Sequence, residues 1–205
     1  KILTPYVEPL LDNEISLINR SSPPHLIMAG VIRPLFGLSI AIQAVHQIRQ
    51  FSPDAHLHLV YPKIEKSYKK TALGLMKDKA IMDHGKKSVS ETKKMILTAG
   101  IGLALVYDNT PGQNHYYTYL TRILDYLSLG VPVITTKTAG NVHLLGHNYP
   151  LFVDDAQDIV RCYLRLMEPN FYREMSDLSK NIGRQFVGEV AVEDFWSILE
   201  SQMKI

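Results

Sequence analysis

The sequence predicts an α/β protein built on a doubly wound parallel sheet. Short apolar runs alternate with longer stretches whose apolar residues recur every three or four positions, the patterns of buried strands and amphipathic helices. No hairpin signal interrupts the alternation, so each return to the sheet is a crossover helix. The most informative stretch, residues 116–141 (YYTYLTRILDYLSLGVPVITTKTAGN), combines a helix, a tight turn, a buried strand and a glycine-bearing loop.

Within it, Leu120, Ile123, Leu124 and Leu127 give the helix an apolar face, while Thr118, Thr121, Arg122 and Asp125 gather on a polar one that can meet a ligand. Gly130 ends the helix because glycine takes the left-handed conformation at no steric cost, and Pro132 forbids its resumption. Residues 131–136 read as a buried strand. Thr138-Ala139-Gly140-Asn141 follows as a small, flexible loop at its carboxyl end, where open α/β sheets bind ligands.

The remaining elements fall in order. HLIMAG, residues 25–30, is a strand, followed by the turn GVIRPLFG and a helix over 38–50 carrying Ile40, Ala41, Ala44, Val45 and Ile48. Residues 55–61 close this βαβ unit. Its turn aims backbone N–H groups and a helix N-terminus above the sheet, which favours a phosphate. A helical stretch over 66–76 lies in a lysine-rich surface segment, and the strand 80–83 leads to His84-Gly85. Ser88 or Ser90 caps the next helix, with Glu91 in its first turn and Met95, Ile96 and Ala99 inward. Residues 101–107 and 149–154 supply two more strands. The C-terminus is helical over 156–167, 171–185 and 192–203, the last carrying Trp196.

Composition excludes several classes. The chain has 205 residues, 46% hydrophobic and 20% charged, which suits one domain with a good core. A formal net charge of +2 and the lack of basic runs interleaved with aromatics argue against nucleic acid. No stretch approaches the roughly 20 apolar residues that span a bilayer. Cys162 has no second cysteine to pair with and reads as a core or boundary residue. With neither Asp-x-Asp nor a His/Cys cluster at ligand spacing, no metal is expected. Residues 1–22, ending in Ser21-Ser22-Pro23-Pro24, read either as an inter-domain linker or as an edge strand plus loop, and 23–205 as the compact domain. The start at Lys1 and the lack of a leader pattern lead us to expect a cytoplasmic excised part of a longer chain.

The run Thr121-Arg122-Ile123-Leu124-Asp125-Tyr126-Leu127-Ser128-Leu129-Gly130-Val131-Pro132-Val133-Ile134, followed by Gly140-Asn141, resembles the donor-binding segment of the family 4 glycosyltransferases, retaining enzymes of the GT-B fold. The resemblance extends more weakly from residue 25 to the end. It implies the C-terminal, Rossmann-like half of a GT-B enzyme. It also implies a nucleoside-diphosphate sugar as donor substrate, no separate cofactor, and a polysaccharide or glycolipid acceptor held by an N-terminal domain outside this sequence. Any contact with the inner membrane would be made through that domain.

By the same resemblance, Asp125 stands where the second of two Glu residues holds the donor ribose, and Tyr117 where the first holds the donor sugar. Val31 and Phe36 replace an Arg and a Lys that bind the pyrophosphate, leaving Arg33, Arg122 and the threonine hydroxyls of Thr118 and Thr121 as substitutes. Gly30, Gly140 and Asn141 let backbone approach the phosphates, and His84 falls in the loop beneath the base. Two other readings compete. Asp125 can simply pair with Arg122 one turn earlier, and the missing charges fit a degenerate, non-catalytic module of the same fold. A dinucleotide-binding or response-regulator-like domain is disfavoured, because no Gly-x-Gly-x-x-Gly follows the first strand and the second ends in Val60-Tyr61-Pro62 without an acid.

Overall fold

The computed structural model describes residues 22–107 and 120–186. Among them six strands form one parallel sheet in the order β3-β2-β1-β4-β5-β6. The strands are β1 (His25–Ala29), β2 (Leu57–Val60), β3 (Ile81–Gly85), β4 (Gly100–Ala104), β5 (Val133–Thr136) and β6 (Phe152–Val153). Seven α-helices cover both faces: α1 (Leu38–Ile48), α2 (Lys69–Leu75), α3 (Val89–Ala99), α4 (Thr121–Ser128), α5 (Ala139–Leu145), α6 (Ala156–Leu166) and α7 (Pro169–Gly183). The doubly wound, Rossmann-like sheet expected from the sequence is thus the architecture found. The order reverses at β1, which lies between β2 and β4, so the crevice of a topological switch point opens at its carboxyl end.

Local chemistry explains the elements. On α1, Leu38, Ala41, Ile42, Ala44, Val45 and Ile48 are buried, the stripe that the sequence carries. Ser88 caps α3 in a full capping box: its Oγ accepts from Glu91 N at 3.2 Å, and Glu91 Oε2 accepts from Ser88 N at 2.9 Å. α1 packs against α6 and α4 against α7, while α3 lies on β1 and β4.

Two tyrosines shape the sheet. β1 pairs with β4 only as far as Ile27 with Gly102. Beyond that point Tyr126 of α4 enters the gap, its hydroxyl donating to Ile27 O at 3.1 Å and accepting from Ala29 N at 2.9 Å. Gly102 makes this possible, since a Cβ there would lie 2.5 Å from the Tyr126 ring. Tyr149 acts similarly at β5, donating to Val133 O at 2.8 Å and accepting from Val133 N at 3.3 Å. The strand expected over 149–154 is correspondingly only Phe152–Val153.

Other boundaries differ for physical reasons. The helix expected over 116–129 begins at Thr121 in the described residues, because Leu120 is extended (φ −73, ψ 128) and serves as its N-cap. The loop expected at 138–141 is instead the start of α5: Thr138 accepts a hydrogen bond from Asn141 N at 3.2 Å and nucleates a helix. Residues 1–21 of the linker, the loop 108–114, Tyr117, Thr118 and the helix expected over 192–203 lie outside the described residues. No helix among the described residues is long and apolar enough to cross a membrane.

Candidate functional site

A cavity of about 630 Å³ opens at the carboxyl end of β1, between α3 and α4. Its floor is Ala29, Gly30 and Val60, with Phe36, Tyr61 and Pro62 from the loops above the sheet. α3 contributes Thr92, Lys93 and Ile96, and the start of α4 contributes Thr121, Arg122 and Asp125. With Arg33 and Lys87 the cationic side chains number four, against Asp125 alone. Such a lining concentrates positive potential on an anionic guest.

Arg122 is the central group. It is 8% exposed, yet no carboxylate among the described residues pairs with it. Its Nη2 donates to Val31 O at 3.3 Å, and its guanidinium carbon lies 4.6 Å from the centre of the Phe36 ring. Burial pushes its pKa down, opposed by the Tyr126 oxygen and reinforced by Arg33. Gly30, at φ +125, makes room for it: a Cβ there would come within 3.3 Å of three guanidinium atoms. Phe36, standing where the resemblance expects a lysine, is therefore the platform for a cation brought from another element.

Asp125 is half-buried on the same cavity. The alternative in which it pairs with Arg122 is not the arrangement found, since Arg122 turns to Val31 and Phe36 instead. No described side chain hydrogen-bonds or ion-pairs with the Asp125 carboxylate. Burial raises its pKa, and the positive charge of Lys93 opposes this. A carboxylate and a guanidinium one turn apart thus both face the cavity with their charges uncompensated by each other.

The other sequence-selected residues separate. Gly30, Arg33 and Thr121 join the cavity. Arg33 is also engaged by Glu65 at 3.8 Å, which reduces what it can offer a ligand. Gly140 and Asn141 are not among the described cavity-lining residues. Both are buried in α5, where Asn141 Nδ2 donates to Thr135 Oγ1 and Thr136 O, each at 2.9 Å, so the amide braces β5. His84 is likewise no lining residue. Its Nε2 meets His58 Nδ1 at 3.0 Å, and His58 Nε2 meets His25 Nδ1 at 2.8 Å, a row of imidazoles across β3, β2 and β1.

That row has a measurable consequence. Burial and the neighbouring His25, His84 and His56 push His58 down to about 4 from 6.5, and burial also lowers His25 and His84. The unfolded chain therefore binds more protons than the folded one in this window. The stability they represent is present above pH 6.5 and is lost as pH falls from 6.5 towards 4. Thermal melts should show a falling Tm over this range, with a shallower fall in His58→Gln; a flat profile would contradict it.

Lys93 is the principal cavity residue that the sequence reading missed. It is 4% exposed, and its signal was available: with Ile96 and Leu97 it lies at helical spacing on the inward side of α3. Among the described residues no three His, Cys, Asp or Glu side chains are grouped to hold a metal ion.

Fold and site together define a Rossmann-like α/β domain with a cationic cavity at its switch point. No protein-family model matches the chain, and no curated protein matches it in sequence. Solved structures do match in fold. Sucrose-phosphate synthase from Thermosynechococcus elongatus superposes with a TM-score of 0.73 at 13% identity, over 100% of this chain and 53% of that one. The pneumococcal O-GlcNAc transferase GtfA, solved with UDP and GlcNAc, gives 0.68 at 12% identity over 96% of this chain and 38% of its own. The C-terminal domain of a glycosyl transferase group 1 family protein (LpcC) from Francisella tularensis gives 0.64 at 13% identity, over 85% of this chain and 92% of that one. At these identities the likeness assigns the fold alone, a Rossmann-like domain of the kind found in these GT-B glycosyltransferases. The chain spans between about two-fifths and just over half of the longer neighbours and nearly all of the single-domain one.

Proposed function

We propose that this domain binds the nucleoside-diphosphate sugar donor of a retaining, family 4-type glycosyltransferase that extends a polysaccharide or glycolipid. The observation that carries the reading is the pair Arg122 and Asp125, both facing one cavity and neither neutralising the other. A donor presents a diphosphate and a ribose diol, and these two groups answer them. The Asp125 carboxylate accepts hydrogen bonds from both ribose hydroxyls. Arg122 and the N-terminus of α4, which has no side-chain cap, take the diphosphate.

In glycosyl transfer, negative charge grows on the departing diphosphate as the sugar becomes oxocarbenium-like. A preorganised, largely buried guanidinium stabilises that charge without reorganising. Arg122 thereby does the work that Val31 and Phe36 cannot. The acceptor hydroxyl is oriented by an N-terminal domain, with the reaction on the cytoplasmic side and hexose as the transferred group. Support comes from GtfA, whose structure holds UDP and GlcNAc, and from the LpcC domain, which has nearly this chain's extent.

The test is a calorimetric titration of the chain with UDP, GDP, ADP and NAD, followed by NMR mapping. One nucleoside diphosphate should bind, with shifts centred on Asp125 and Arg122, and Asp125→Ala should weaken it by about 1 to 3 kcal/mol. Unchanged affinity in a folded Asp125→Ala chain would sink the ribose role. Val31, Phe36 and Tyr117 favour a second reading, a non-catalytic binding or assembly module. Failure of every nucleotide to bind would move the assignment there.

A further inference from the structure

The segment from residue 63 to 87 carries eight lysines against three acidic residues, while the whole chain has a net charge of only +2. The remainder is therefore net acidic, and the positive charge is concentrated here. All eight lysines (63, 66, 69, 70, 77, 79, 86 and 87) are exposed, and none makes an ion pair among the described residues. The three acids are already engaged. Glu65 lies 3.8 Å from Arg33, Asp78 is bonded to His46 at 2.8 Å, and Asp83 accepts from Tyr61 and Gly85.

Apolar surface lies within this charge. Leu73 is 44% exposed on α2, with Lys69 and Lys70 one turn before it and Lys77 one turn after; Met82, on the edge strand β3, is 38% exposed. From this we infer that the α2–β3 face docks on an anionic membrane surface, lysines on the headgroups and Leu73 in the interface. Lysines give point charges suited to lipid phosphates, and an apolar residue flanked by them adds burial that a purely electrostatic contact lacks. Nucleic acid fits less well: all eight cations are lysine, and Tyr68, the aromatic residue among them, packs on the core.

The position gives the contact a use. Lys87 lines the large cavity, and Lys63 and Lys66 line a smaller one of about 320 Å³ that shares Val31 and Arg33 with it. Docking through this segment brings those three rim lysines toward the bilayer. If the donor-binding reading above is correct, a lipid-borne acceptor would then be within reach, but the docking itself does not depend on what the cavity holds.

Sedimentation of the 205-residue chain with phosphatidylcholine vesicles, with and without about 40% phosphatidylglycerol, tests it. Binding should require the anionic lipid and be released between about 0.1 M and about 0.5 M salt. Lys69→Glu/Lys70→Glu/Lys77→Glu should lower partitioning about tenfold or more. Leu73→Ser should weaken it several-fold while keeping its salt dependence. Reversal of three exposed cations elsewhere, Lys137→Glu/Arg173→Glu/Arg184→Glu, should leave most binding intact. Equal binding to neutral vesicles, or equal loss in the two triple variants, would overturn the proposal. So would competition by a single-stranded oligonucleotide together with indifference to Leu73→Ser. The wild-type comparison of anionic with neutral vesicles decides the matter even if a triple variant does not fold. A chain that binds vesicles but no nucleotide separates this face from the cavity reading.

Discussion

Replacing Arg122 with methionine is expected to lower nucleoside-diphosphate affinity about a hundredfold, roughly 3 kcal/mol, while leaving the unliganded domain as stable as before or more so. The two halves of this result come from one cause. Arg122 is buried without a carboxylate partner, and taking a charge out of water costs several kcal/mol. Its contact with the Phe36 ring at 4.6 Å returns about 0.5 to 2 kcal/mol, and its bond to Val31 O about as much. The desolvation cost wins, so the free domain holds Arg122 at a loss that an anionic ligand recovers. Methionine keeps the stem's packing and removes the charge. Urea unfolding and nucleotide titration of the same variant read both effects. A residue with only a structural role would give the opposite pattern, reduced stability with affinity intact.

Tyr126→Phe should cost about 2 to 4 kcal/mol of folding stability, an unusually large effect for the loss of one oxygen atom. The ring stays and no cavity opens, but Ala29 N–H loses its partner and Ile27 C=O loses a donor in a fully buried place. Strand β4 cannot replace them, because its pairing with β1 stops at Gly102. Burial holds the phenol pKa up at about 12, so the hydroxyl remains a donor throughout the working range. The bond also anchors α4, whose neighbouring positions 122 and 125 face the cavity, so weaker nucleotide binding should accompany the loss. Chemical denaturation measures the first, and a cost below about 1 kcal/mol would show that the strand finds other partners.

What was legible in the sequence depended on how local the determining interaction is. Ser88 and Glu91 close a capping box within four residues, and Gly130 with Pro132 ends α4 by backbone geometry alone, so the second could be read directly and the first to within the choice of Ser88 or Ser90. The start of α4 was less legible, because Leu120 is extended for no local reason that its apolar pattern reveals. Thr138 carried an N-cap signal, but the small residues after it read as a loop. What holds them in α5 is an amide reaching Thr135 and Thr136 on the strand.

The site divides in the same way. Helical spacing put Thr121, Arg122 and Asp125 on one polar side of a helix next to a strand's carboxyl end, and that much belongs to the sequence. It permitted either an Arg122–Asp125 pair or an inward arginine. Only the fold decided, by bringing Gly30, Val31 and Phe36 from a loop some ninety residues earlier to receive the guanidinium. His84 shows the converse: its partner His58 is set by how β2 and β3 align, and strand register is not written in either strand alone. Sequence by itself determined most of the element types and the doubly wound sheet, because periodicity, caps and turns act over a few residues. Tertiary structure alone decided which charges meet and which are left facing the cavity, because Coulombic and packing partners are chosen across the sheet.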